Sequence, residues 1–95
     1  MISYITRFYP GRGGVLSFGH VSRDMAKRHM QVLAESWVAG TPRAYAEVLQ
    51  VYPDGRARIL IGYRGTRGSR RRYGPTWLRC SGRKLRDREA WLERK

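Results

Sequence analysis

Tyr45-Ala46-Glu47-Val48-Leu49-Gln50-Val51-Tyr52-Pro53-Asp54-Gly55-Arg56-Ala57-Arg58-Ile59-Leu60-Ile61-Gly62-Tyr63 reads as two strands around a turn. Pro53 presets the first turn position, Asp54 caps it through its side chain, and Gly55 tolerates positive φ. Pairing Tyr52 with Arg56 places Leu49 opposite Ile59, Val51 opposite Ala57 and Tyr45 opposite Tyr63 in a hairpin over residues 43–64. Side chains alternate along a strand, so these residues share one face. The other face carries Gln50, Arg56, Arg58 and Arg64 around a Val48–Leu60 pair. The first face is expected to be the core.

The best helix in the chain lies upstream, over residues 22–39. Ser22 is a natural N-cap and Asp24 puts a negative charge in the first turn. Ala26, Met30, Leu33 and Trp37 follow at spacings of four, three and four, with Met25, His29 and Val32 widening the stripe. Gly40 fits the C-terminal cap and Thr41-Pro42 blocks continuation. Trp37, Leu33 and Met30 are expected to be buried against Leu49, Ile59 and Ile61.

Before the helix, residues 2–9 read as a strand rich in β-branched and aromatic residues. Pro10-Gly11-Arg12-Gly13-Gly14 must turn, and residues 15–18 return as a second strand. Its glycines lack the spacing of a nucleotide-binding loop and no helix follows them directly. Downstream, Gly65-Thr66-Arg67-Gly68-Ser69-Arg70-Arg71-Arg72 holds nothing that can bury, so residues 64–73 are expected to be an exposed Arg/Gly-rich loop. Residues 73–80 are a further strand candidate, and Ser81-Gly82 precedes a short helix over 83–94. The expected order is β-β-α-β-β-(β)-α. This is an α+β two-layer sandwich in which one long and one short C-terminal helix pack on an antiparallel sheet. Ninety-five residues make one domain, 1–95.

Charge narrows the partners. Twenty Lys+Arg against seven Asp+Glu leave a formal +13. That excludes a DNA mimic, an acidic metal-binding module and a partner for basic surfaces; it favours phosphate, anionic lipid or an acidic protein face. Seventeen of the 20 basic residues are Arg. Arginine binds phosphate bidentately and stacks on bases, although codon usage in a GC-rich genome would also enrich it. The single Cys80 rules out an internal disulfide framework. No apolar run is long enough to span a bilayer and no signal peptide is visible, so a cytoplasmic location is expected, without membrane. His20, His29 and Cys80 are scattered, so neither metal nor cofactor is expected.

Residues 64–73 are the strongest functional candidate. Arg64, Arg67, Arg70, Arg71 and Arg72 alternate with glycine and serine between Tyr63 and Tyr73. Glycine lets the backbone approach phosphate, arginine supplies charge and paired donors, and tyrosine offers a stacking face. A solvated loop kept for solubility is the alternative, but like charges repel and need a reason to gather. Arg56 and Arg58 would extend the patch, as would Arg83, Lys84 and Arg86 at the start of the last helix. No carboxylate pair or nucleophile motif suggests catalysis.

Residues 22–95, read as helix, three strands and helix with Arg83-Lys84 opening the last helix, resemble a double-stranded-RNA-binding domain in element order. That resemblance implies phosphate contacts from the basic helix start. The family's lysine-rich helix start and small-residue helix interior are missing here, and an extra hairpin precedes. Tyr52-Pro53-Asp54-Gly55-Arg56 through Tyr63, followed by basic residues, resembles the strand pair of small ribosome-dependent RNase toxins, which place two helices ahead of it. That resemblance implies metal-independent RNA cleavage. In such an RNase Arg and Tyr side chains would stabilise phosphate and His29 would be the candidate base, although His29 lies near the apolar stripe of the helix and reads first as a packed or edge histidine.

The function expected first is therefore a small basic, non-enzymatic nucleic-acid-binding protein, for DNA or RNA. Its contact residues would be Arg64, Arg67, Arg70, Arg71, Arg72, Tyr73, Arg56, Arg58, Arg83 and Lys84. The second is an inhibitor or adaptor of the phage or mobile-element kind, docking the same arginines on an acidic protein surface. The third is the toxin-type RNase.

Overall fold

Asp54 and Gly55 close the turn as their chemistry requires. In the computed structural model, which describes residues 2–78, the Asp54 carboxylate accepts the Arg56 backbone N–H at 3.0 Å and Gly55 sits at φ 91°. The Tyr52 N–H donates to the Arg56 carbonyl at 2.9 Å. The strands so joined are β3 (Tyr45–Val51) and β4 (Ala57–Thr66), with Leu49 opposite Ile59 and Val51 opposite Ala57. Then the register shifts. Val48 faces Ile61, which leaves Leu60 as the extra residue of a β-bulge. Beyond it the alternation of β4 reverses, and Tyr45 lies opposite Arg64, not Tyr63. Arg64 joins the face of Leu49, while Ile61 and Tyr63 join the face of Val48.

The remaining strands are β1 (Ser3–Tyr9), β2 (Leu16–His20), β5 (Ser69–Tyr73) and β6 (Thr76–Trp77). The sheet runs in the order β2-β1-β3-β4-β5, and every pairing is antiparallel. The two residues of β6 continue the β5 edge along β4, past Gly74 and Pro75. Among the described residues the chain is thus α+β, an antiparallel sheet packed by one helix.

That helix, α1 (Arg23–Leu33), begins at Ser22, whose Oγ accepts the Met25 N–H at 3.2 Å. From Ala34 to Val38 it widens into a π-helical turn, in which the Ala39 N–H donates to Ala34 O at 3.0 Å, five residues back. Each residue of such a turn advances less around the axis, so the inward position that 3.6-residue spacing assigns to Trp37 falls to Val38. Val38 is fully buried and Trp37 is 61% exposed. The buried stripe is Ala26, Met30, Ala34 and Val38, with Leu33 at its margin. The expected burial of Trp37 is corrected by this one turn.

The helix also covers the other face of the hairpin from the one expected. Its stripe packs on Phe8, Ala44, Ala46 and Val48, flanked by Tyr4, Leu60, Ile61 and Tyr63. Small side chains on both sides let helix and sheet approach closely, and the buried Thr6 hydroxyl donates to Ala26 O at 2.8 Å. Leu49, Ala57 and Ile59 instead form a second buried cluster on the opposite face with Leu78, flanked by Ile5, Val51 and Tyr73. β3 is buried on both sides, so alternation could not say which one meets the helix.

Residues 64–73 are not the expected loop. They form the end of β4, a two-residue turn at Arg67-Gly68, and β5, with Arg64 opposite Arg71 and Tyr63 opposite Arg72. The turn end of this hairpin is held against the exit of the helix. The Gly65 N–H donates to Ala44 O at 2.7 Å and the Gly40 N–H to Ser69 O at 2.8 Å. A side chain at Gly65 would run into the carbonyls of Val38 and Thr41. The strand expected over 73–80 is split within its described part into the last residue of β5 and all of β6. The helix expected over 83–94 lies outside the described residues. The toxin order also differs, since here two strands and one helix precede the β3–β4 hairpin. Among the described residues no helix is long and apolar enough to cross a membrane.

Candidate nucleic-acid interface

The β4–β5 hairpin arranges its arginines on two sides. Arg70 and Arg72 lie opposite Gly65 and Tyr63, on the face that carries α1. The Arg70 guanidinium sits 4.6 Å from the Tyr63 ring centroid, inside cation–π range. Arg64 and Arg71 face each other directly across the ladder on the opposite side. Like charges so placed repel, and neither has a carboxylate within ion-pair distance among the described residues. Arg67 projects from the turn beside Gly68, whose φ is 82°. The cluster expected as one flexible loop is therefore a two-sided cationic blade with backbone hydrogen bonds along its length.

A second constellation lies at the other end of β4. Successive register partners form a row across the sheet: His20 with Tyr4, Tyr4 with Gln50, Gln50 with Arg58, and Arg58 with Trp77. All share the α1 face, but α1 meets the sheet at Ala26 over Thr6, one step further in. Gln50, Tyr52 and Arg58 remain half-buried, and Trp77 is 46% exposed. The Tyr52 and Trp77 rings stand 5.5 Å apart, tilted by 32°. Arg56 lies 5.2 Å from the Trp77 centroid and 5.9 Å from that of Tyr52, and Arg58 lies 5.9 Å from Trp77. Asp54 fixes Arg56 through its Nε at 2.8 Å. The Arg56 backbone N–H, donated to the same carboxylate, is the main reason Asp54 titrates below the ordinary carboxylate range.

The expected Arg56 and Arg58 are thus brought together, and with them two aromatic residues that sequence reasoning did not single out. Tyr52 and Arg56 flank the turn, so their common face was legible. Trp77 was not, because its place depends on the return of the chain past Pro75. Tyr73, expected as a stacking face, is committed elsewhere: its hydroxyl donates to Glu47 Oε1 at 2.7 Å. Arg83 and Lys84 lie outside the described residues. His29, the candidate base, shares a 3.1 Å contact from its Nδ1 to His20 Nε2 and meets the Phe18 ring edge-on at 4.7 Å. Burial first, and then the neighbouring His20, hold His29 below the ordinary histidine value.

No protein-family model, curated protein or solved structure matches this chain.

Proposed function

We propose that this chain is a small, non-enzymatic nucleic-acid-binding protein that grips the phosphate backbone with its β4–β5 hairpin. The observation carrying this reading is the direct opposition of Arg64 and Arg71 at the centre of a five-arginine hairpin without carboxylate partners among the described residues. Placing like charges opposite one another costs stability in the free protein. A polyanion threading past the blade converts that repulsion into attraction on both sides, with Arg67 at the tip and Arg70 and Arg72 beside Tyr63. Such contacts position the protein and read no sequence.

Titration of fluorescent DNA, single-stranded and duplex, across a series of salt concentrations tests this. Each phosphate contact contributes about 0.9 to the slope of log K against log salt on duplex DNA, and about 0.7 on single strands. Replacing Arg70, Arg71 and Arg72 together with Ser should flatten the duplex slope by up to about 2.7 units. An unchanged slope in a folded triple variant sinks the assignment to this hairpin. Absence of binding to any nucleic acid sinks the function itself and turns attention to an acidic protein surface.

A further inference from the structure

We infer that the ligand is a single-stranded nucleic acid, held with an unstacked base on the Tyr52–Trp77 platform. This rests on the phosphate-binding reading of the hairpin and adds what the hairpin cannot supply, a preference for one form of nucleic acid.

An indole is among the largest apolar surfaces a side chain can present, and here about half of it faces solvent. Core packing does not explain the arrangement, because Trp77 belongs to neither buried cluster. Two guanidinium groups flank it instead, and one of them is oriented by Asp54. Aromatic rings interleaved with arginine make a surface on which any base can stack while its phosphates are neutralised. Gln50, next in the row, adds an amide that can both donate and accept.

Placement connects this platform to the blade. Arg58 and Trp77 share the α1 face with Tyr63, Arg70 and Arg72, all on the outer two strands of the sheet. Arg58 and Tyr63, both on this face, are five residues apart on β4, roughly 16 Å at ~3.3 Å per residue. A flexible strand laid along this edge meets stacking groups at one end and cations at the other. A duplex cannot use the platform, because its bases already stack on one another and present only their edges.

Anisotropy titrations with three fluorescein-labelled probes of about 12 units decide the matter: oligo(dT), an abasic oligomer with the same phosphates, and a duplex. The wild-type chain should bind oligo(dT) more tightly than the abasic oligomer. Trp77→Ala should weaken oligo(dT) binding roughly 5- to 150-fold and leave the abasic and duplex affinities and all salt slopes unchanged. Trp77→Phe should restore most of the loss. A cooperative thermal unfolding transition like that of the wild type shows that the alanine variant is folded; should it fail to fold, Tyr52→Ala takes its place with the same expected pattern. Equal wild-type affinity for oligo(dT) and abasic oligomer overturns the inference while leaving the phosphate-binding function standing. So does an alanine variant that weakens every probe alike while still folded. If no probe binds, the function fails first and this inference with it.

Discussion

The Tyr73 hydroxyl reaches Glu47 by crossing Gly62. Gly62 lies between the two in the ladder, opposite Glu47 on β3 and opposite Tyr73 on β5, and the tyrosine ring rests where a Gly62 side chain would be. The hydroxyl then donates to the fully buried carboxylate at 2.7 Å. Arg7, only 1% exposed, lies opposite Glu47 on β1. Buried charges persist only where hydrogen bonds and opposite charge offset lost hydration, so this row from β1 to β5 is expected to be a structural element of the sheet.

Tyr73→Phe should therefore cost about 1.5–3 kcal/mol, the range for a hydrogen bond to a charged group. Urea denaturation measures it. The salt slope of nucleic-acid binding should stay at the wild-type value, since the Tyr73 hydroxyl is committed to Glu47. Gly62→Ala should cost at least as much, because its methyl group displaces the ring and the hydrogen bond with it.

Gly65→Val should destabilise the fold more than Gly55→Val. Read as part of a mobile loop, Gly65 would be the tolerant position of the two. Its neighbours reverse the order. Gly55 has open space around it and only its φ of 91° opposes a side chain, at about 1–2 kcal/mol. Gly65 abuts two backbone carbonyls that cannot rotate away, and overpacking of that kind costs about 1–3 kcal/mol or more. Thermal unfolding of both variants settles the ranking; a less stable Gly55→Val protein would contradict the packing at Gly65.

The π turn makes its own claim on stability. Met30→Ala removes a buried side chain from the helix stripe and should cost about 2–5 kcal/mol. Trp37→Ala, a larger deletion, should shift stability by no more than about 0.5 kcal/mol, as an exposed side chain does. Comparable losses from both would mean that Trp37 points inward and that the helix continues as a regular α-helix.

Acid should loosen the contact between α1 and the edge strand. His29 binds protons less readily folded than unfolded, because burial and His20 oppose its charge. Its contribution to stability is thus fully present above the unfolded value of 6.5 and is lost as pH falls through the lower folded value. Protonation of both rings also removes the acceptor that their 3.1 Å contact needs. Unfolding free energies measured between pH 8 and pH 5 should fall for the wild type and fall less for His29→Gln. Parallel curves for the two proteins would show that this pair does not couple to folding.

Local chemistry alone determined a good deal of this protein. Ser22 starts the helix, Pro53-Asp54-Gly55 turns the hairpin, and the first steps of the β3–β4 ladder follow from that turn, because each depends on residues within a few positions of one another. The concentration of arginine after Tyr63 was equally legible, since charge is additive along a chain. Tertiary structure decided the rest. One extra residue at Leu60 carried Arg64 to the opposite face, and one wide turn exchanged Trp37 for Val38, because a period is erased by any local insertion that packing favours. Alternation could not choose the face for α1 while β3 was buried on both sides; the small side chains at Ala44, Ala46 and Val48 chose it by allowing close approach. Nothing in their local sequence marks Arg7 and Glu47 as interior residues; the ladder set them opposite each other there. Trp77 became part of a site only when the chain returned past Pro75 and paired it with Arg58, a contact between residues far apart in sequence that no local pattern encodes.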